Sequence, residues 1–100
     1  MSRLPLSRYR VLELAHLIAG PVCGMYLADM GADVIKIEQP SGGDASRSVY
    51  GSPPGGESPV FVTVNRNKRS VALDLSHPEG WALFARLEIG RASCRERVRL

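Results

Sequence analysis

Short apolar runs broken by glycine and proline organise most of this chain. In "YRVLELA" (residues 9–15), Val11, Leu12 and Leu14 have the character of a largely buried strand. Gly20 and Pro21 supply a break and a first helical turn. Val22, Met25, Tyr26 and Ala28 to Met30 then form an apolar helical stripe over residues 21–30, which Gly31 is placed to end with a left-handed cap. Val34, Ile35 and Ile37 predict a second strand, which Pro40 closes. Strand, helix and strand within about 30 residues make a βαβ unit and a parallel sheet.

Residues 39–59 hold five glycines and four prolines, so they predict a long surface loop without regular structure, of the kind that acts on a ligand or partner. Val60 to Val64 fit either a strand or a short buried helix, and Ser70 to Leu75 fit a strand. Ser76 with Glu79 three residues on forms a capping box. Pro78 lies in the first turn, and Trp81, Leu83, Phe84 and Leu87 continue as a helix. The pattern is α/β up to residue 88. Beyond it, "EIGRASCRERVRL" shows neither helical period nor strand alternation, so a tail over residues 88–100 is expected to be disordered or foreign to the gene.

Composition changes this picture little. One hundred residues, 44% of them hydrophobic, suffice for one small domain but hardly for a complete two-substrate enzyme. The formal charge of +3 invites a nucleic-acid reading until it is located. Residues 89–100 carry Arg91, Arg95, Arg97 and Arg99 against Glu96, which leaves nine basic and nine acidic residues before them. The arginines have no aromatic interleaving, so no nucleic-acid partner is expected. Cys23 and Cys94 match no disulfide framework or zinc spacing, which favours a reducing compartment and gives no metal site. Residues 11–30 are interrupted by Glu13, His16, Gly20, Pro21 and Asp29, so neither export nor membrane spanning is predicted.

The turn "HLIAGPVCG" occupies the place of a phosphate loop but has neither glycine pattern that cradles phosphates. His16 and Cys23 are candidate acid–base and thiolate groups by position. A strand-end histidine and a cysteine on an apolar helix are more often structural, and neither is taken as catalytic. Asp44 and Arg47 are spaced to pair locally and order the glycine-rich loop.

Taken in order, "VLELAHLIAGPVCGMYLADMGADVIKIEQPSGGDASR" and "NRNKRSVALDLSHPEG" resemble the N-terminal segment of the class III CoA-transferases of CaiB/BaiF type, the family of formyl-CoA transferase, carnitine CoA-transferase and α-methylacyl-CoA racemase. The resemblance covers residues 6–87. It implies that residues 1–87 are the N-terminal part of a Rossmann-like parallel-sheet domain, with the tail of residues 88–100 outside the family. It further implies a cytoplasmic enzyme of two interlocked subunits, with coenzyme A or acyl-CoA as substrate, a small carboxylate as acceptor and no metal.

By the same resemblance, a transferase uses an aspartate that carries first an acyl group and then CoA. That residue lies downstream of the family segment present here, and none of Asp29, Asp33, Asp44 or Asp74 takes its place. The chain is therefore expected to be a fragment without a catalytic residue, inactive alone, from a parent acyl-CoA:carboxylate CoA-transferase. A racemase-type isomerase and a non-enzymatic truncated product are the alternatives. For CoA contacts, the resemblance implies Leu17 and Ile18 at the turn, Gln39 where an arginine is frequent, the basic pair Lys68 and Arg69, and Leu73 beside the adenine. Glutamine cannot offer the charged fork that suits a phosphate.

Overall fold

A computed structural model describes residues 4–88 and the backbone of residues 93–97. Four strands form one parallel sheet: β1 (Arg10–Leu14), β2 (Asp33–Glu38), β3 (Arg69–Ala72) and β4 (Ser93–Arg97), in the order β3-β2-β1-β4. The chain steps outward from β1 to β3 and then returns to the other side of β1. That reversal is a topological switch point, and ligands of open α/β sheets bind in the crevice at the carboxyl ends of such strands.

The three connections carry helices α1 (Ala19–Asp29), α2 (Pro59–Val64) and α3 (Pro78–Glu88). Pro21 lies in the first turn of α1, and Gly31 ends that helix at φ +103°, its N–H donating to the Ala28 carbonyl at 2.9 Å. Of the two readings of Val60 to Val64, the structure adopts the helix. Ser58 Oγ accepts the Phe61 N–H at 3.4 Å and Pro59 sits at the first position, so both start signals favour it. Among the described residues, no helix is long and apolar enough to cross a membrane.

Four expectations change. The glycine-rich loop contains one 3₁₀ turn, Ala45–Arg47, because the Asp44 carboxylate accepts the Ser46 N–H and caps it. β3 ends at Ala72 and not at Leu75, because Asp74 turns the chain: its carbonyl accepts from His77 and its carboxylate from Ser76. Ser76 is thereby committed to Asp74, and α3 is entered through His77, whose Nδ1 accepts the Glu79 N–H at 3.2 Å. The fourth change falls in the tail, where Ser93–Arg97 forms a strand in parallel register with β1, from Arg10 opposite Ser93 to Leu14 opposite Arg97. A strand at that edge satisfies the outward backbone groups of β1, a demand that side-chain alternation in the tail does not reveal. The other calls on the tail lie outside the described residues.

The sheet's two faces differ. Val11 and Val34 pack on Ala28 and Ala32 of the α1 layer, while Leu12, Ile35 and Ile37 pack on Phe84 of α3, with Leu14, Val71, Leu73, Leu75 and Leu87 around them. Parallel register puts like faces together: Val11 lies opposite Val34, and Leu12 opposite Ile35. One step along, Glu13 lies opposite Lys36, so the face that begins apolar at the amino end becomes ionic at the carboxyl end.

Candidate functional site

A cleft of about 430 Å³ opens at the carboxyl ends of β1, β2 and β3. Leu14, Ala15, Ile37, Pro40, Leu73 and Leu75 make its apolar walls, and His16, Glu38, Gln39, Asp44, Asp74 and Ser76 supply its polar groups. Among the described residues, no lysine or arginine lines it, and three of the polar groups are carboxylates. Such a lining accepts apolar and neutral hydrogen-bonding groups and offers a phosphate no cationic partner.

Beneath the cleft lies a buried ionic network of two carboxylates and two ammonium groups. Lys36 Nζ meets Glu13 Oε2 at 2.7 Å, Asp44 Oδ2 at 2.6 Å and the Ala15 carbonyl at 3.0 Å. Lys68 Nζ meets Glu13 Oε1 at 2.6 Å, the Pro21 carbonyl at 2.8 Å and Asn65 Oδ1 at 2.9 Å. All four side chains are at most 2% exposed. An isolated charge there would cost several kcal/mol, so the balance of two negative against two positive groups is what permits the burial. Burial pushes the Lys68 ammonium down, against its Glu13 partner, and the net direction is downward.

A second network ties the glycine-rich loop to β2. Glu38 Oε1 accepts the Asp44 N–H at 2.7 Å and Arg47 Nε at 2.8 Å, while Oε2 accepts an Arg47 terminal N–H at 2.9 Å and the Ser70 hydroxyl. Burial pushes the Glu38 carboxyl up, but these donors outweigh it and hold it at about 2. The Arg47 guanidinium also stacks over the Phe61 ring, 3.8 Å from its centre, joining the loop to α2. The Asp44 and Arg47 side chains therefore do not pair with each other as their spacing suggests, although the Arg47 N–H donates to the Asp44 carbonyl at 3.0 Å. Each is bound to a residue of β2. The third cleft carboxylate, Asp74, is held below the usual range by the Ser76 hydroxyl and N–H.

Compared with known proteins, residues 6–92 match the sequence pattern of CoA-transferase family III. This chain belongs to that family. It is 51% identical over 90 residues to the succinate–glutarate CoA-transferase of Agrobacterium fabrum, covering 83% of this chain and 22% of that protein. It is 43% identical over 75 residues to the formyl-CoA:oxalate CoA-transferase of Afipia carboxidovorans, covering 75% of this chain and 18% of that protein. A crystal structure of a CaiB/BaiF family protein from Brucella suis superposes with a TM-score of 0.76 at 42% identity, covering 86% of this chain and 24% of that one. The α/β architecture is thus that of family III structures, as a partial domain. The chain spans about a fifth of the length of the curated relatives it matches.

Against this family III frame, the six residues singled out for CoA separate in space. Gln39 and Leu73 line the cleft. The Gln39 amide donates to the Gly43 carbonyl at 3.1 Å. Leu17 and exposed Ile18 lie in the turn between His16 and α1, beside the cleft without forming its wall. Lys68 is buried in the ionic network, and Arg69 forms a two-pronged contact with Asp33 at 2.6 and 3.0 Å, at the amino end of β2 and away from the cleft. Their positive charge is therefore met by acidic partners within the fold. Cys23 is exposed on α1 and is not a packing residue there.

Sequence reasoning passed over Glu13, Lys36 and Glu38 as site residues. For Glu13 and Lys36 the signal was present: they stand at the centres of the apolar strand runs "VLELA" and "VIKIE", with opposite sign and in register. Asp74 and Ser76 were read as strand and cap, and the Asp74 turn brings both to the cleft rim.

Proposed function

We propose that this chain contributes a CoA-binding portion of an acyl-CoA:carboxylate CoA-transferase. The observation that carries the reading is the cleft itself: an apolar-walled opening at the carboxyl ends of parallel strands, in a chain of family III. Its walls suit the neutral parts of CoA, the adenine or the pantetheine arm, and its described lining holds no cation to draw the phosphates in. Gln39 and Leu73 then border CoA within the cleft, with Leu17 and Ile18 beside it, whereas Lys68 and Arg69 act on the fold. The names of the two relatives support transfer to a small carboxylate over inversion beside the thioester carbonyl. A cytoplasmic homodimer completes the proposal.

None of the cleft carboxylates is a free nucleophile. Glu38 is held by Arg47 and Ser70, Asp44 by Lys36, Leu17 and Ser46, and Asp74 by Ser76. The chain alone is therefore expected to bind CoA without transferring an acyl group. Calorimetric titration of the full chain with CoA, and with Leu73→Asp as comparison, tests this. CoA should bind, and the aspartate should weaken it about 10-fold by placing a charge against an apolar ligand face. Absence of binding to the unaltered chain, or equal affinity in the variant, would sink the reading.

A further inference from the structure

Leu17 stands between the cleft-lining His16 and the start of α1, and its φ is +70°. Glycine adopts this left-handed state freely, but a residue with a Cβ resists it. What holds Leu17 there comes from elsewhere in the chain. Asp44, 27 residues on, accepts the Leu17 N–H on Oδ1 at 2.9 Å. The same oxygen accepts the Ser46 N–H and hydroxyl, each at 2.8 Å, while Oδ2 meets Lys36 at 2.6 Å. The Asp44 side chain is 0% exposed.

We propose that Asp44 is a positioning residue, which holds Leu17 in its left-handed conformation and so sets the His16–Ile18 turn beside the CoA cleft. Its part in CoA binding rests on the reading of the cleft given above. The carboxylate is well placed for this because it is anchored independently of the turn. Its backbone N–H is fixed on Glu38, and Lys36 is held by Glu13 and the Ala15 carbonyl. Gly43, at φ +69°, permits the close approach, since a Cβ there would come within 2.6 Å of Glu38 Oε1. Loop, β2 and turn thus converge on one side chain, with β1 joined to it through Lys36. Removing it leaves the Leu17 N–H without its partner and the left-handed residue without its tie.

The competing account is that Asp44 serves only to neutralise Lys36. Leu17→Gly separates the two, because glycine needs no tie to keep a positive φ whereas Lys36 is indifferent to residue 17. Asp44→Ala is made in the full chain, with and without Leu17→Gly. Hydrogen exchange at the residue 17 amide and calorimetric CoA affinity are measured for all four proteins. Asp44→Ala should speed exchange at residue 17 relative to the β1 amides and weaken CoA about 10-fold, the worth of one buried hydrogen bond. In the Leu17→Gly background the affinity loss should shrink to about 3-fold or less, since the strain is gone. If the alanine variant does not fold, Asp44→Leu combined with Lys36→Met, which removes the acceptor together with the charge it neutralises, takes its place in the cycle. Unchanged exchange at residue 17, or the same affinity loss in both backgrounds, would overturn the proposal. If the unaltered chain does not bind CoA, the cleft reading fails by itself, and the exchange comparison still decides whether Asp44 holds the turn.

Discussion

The two faces of the sheet bury side chains equally well by opposite means. On the α3 side Leu12, Ile35 and Ile37 meet Phe84, which is 1% exposed, in a layer that is apolar from end to end. On the α1 side Val11 and Val34 are apolar, but the next positions on that face are Glu13 and Lys36, buried against Asp44 and Lys68. The apolar layer gains from each methylene it removes from water and tolerates exchange of one hydrocarbon for another. The ionic layer gains little net free energy, and what it supplies is direction: each charge must face its partner, which fixes loop, strand and helix relative to one another. The cleft lies above this network, at the sheet end where the face turns ionic.

Breaking the ionic layer should cost most. Lys36→Met leaves Asp44 without its ammonium partner and Glu13 with Lys68 alone, and urea unfolding should show a loss of about 3–5 kcal/mol, the range for orphaned buried charges. A loss under about 1 kcal/mol would mean that water reaches these groups and that the two faces are not different in kind. On the other face, Phe84→Ala should cost about 3 kcal/mol in the same assay, at the low end for a buried aromatic because Leu75 and Leu87 can close on the gap.

Gly24 sharpens the contrast by reversing a rule. Alanine in a helix interior ordinarily stabilises by about 1 kcal/mol relative to glycine. Here a Cβ on Gly24 would fall 1.9 Å from Glu13 Oε1, so Gly24→Ala should instead destabilise by about 1–3 kcal/mol, read from the thermal midpoint. Acid should act most gently. The Glu38 carboxyl, ordinarily near 4.5, is held at about 2, so its contribution is complete above the ordinary value and is lost as pH falls from there toward the held one. Arg47→Ala should flatten the part of the stability-against-pH curve between those values and leave its shape above pH 6 unchanged. A curve identical to that of the unaltered chain would show that Arg47 does not hold the carboxylate.

Legibility in the sequence follows the same division. Apolar runs with Gly20, Pro21, Gly31 and Pro40 between them placed β1, α1 and β2 within a residue or two, because local conformational cost decides those boundaries. Where two local signals competed, tertiary contacts arbitrated: Asp74 took Ser76 from the α3 cap, and β1 found a parallel partner in an arginine-rich tail whose pattern predicts no strand. Of the residues read as CoA contacts, Gln39 and Leu73 reach the cleft, while Lys68 and Arg69 show that a basic pair in sequence can send its two members to opposite ends of a strand neighbourhood.

Sequence alone thus determined the α/β order and the family, since both are written in residue types at fixed spacing along the chain. Only the tertiary structure decided that Glu13, Lys36, Asp44 and Lys68 are one neutral cluster and that Asp44 ties down Leu17. Most of these contacts join residues more than 20 apart in sequence, as Leu17 with Asp44 and Lys36 with Glu13, and pairing energies of that kind leave no period in the chain to read.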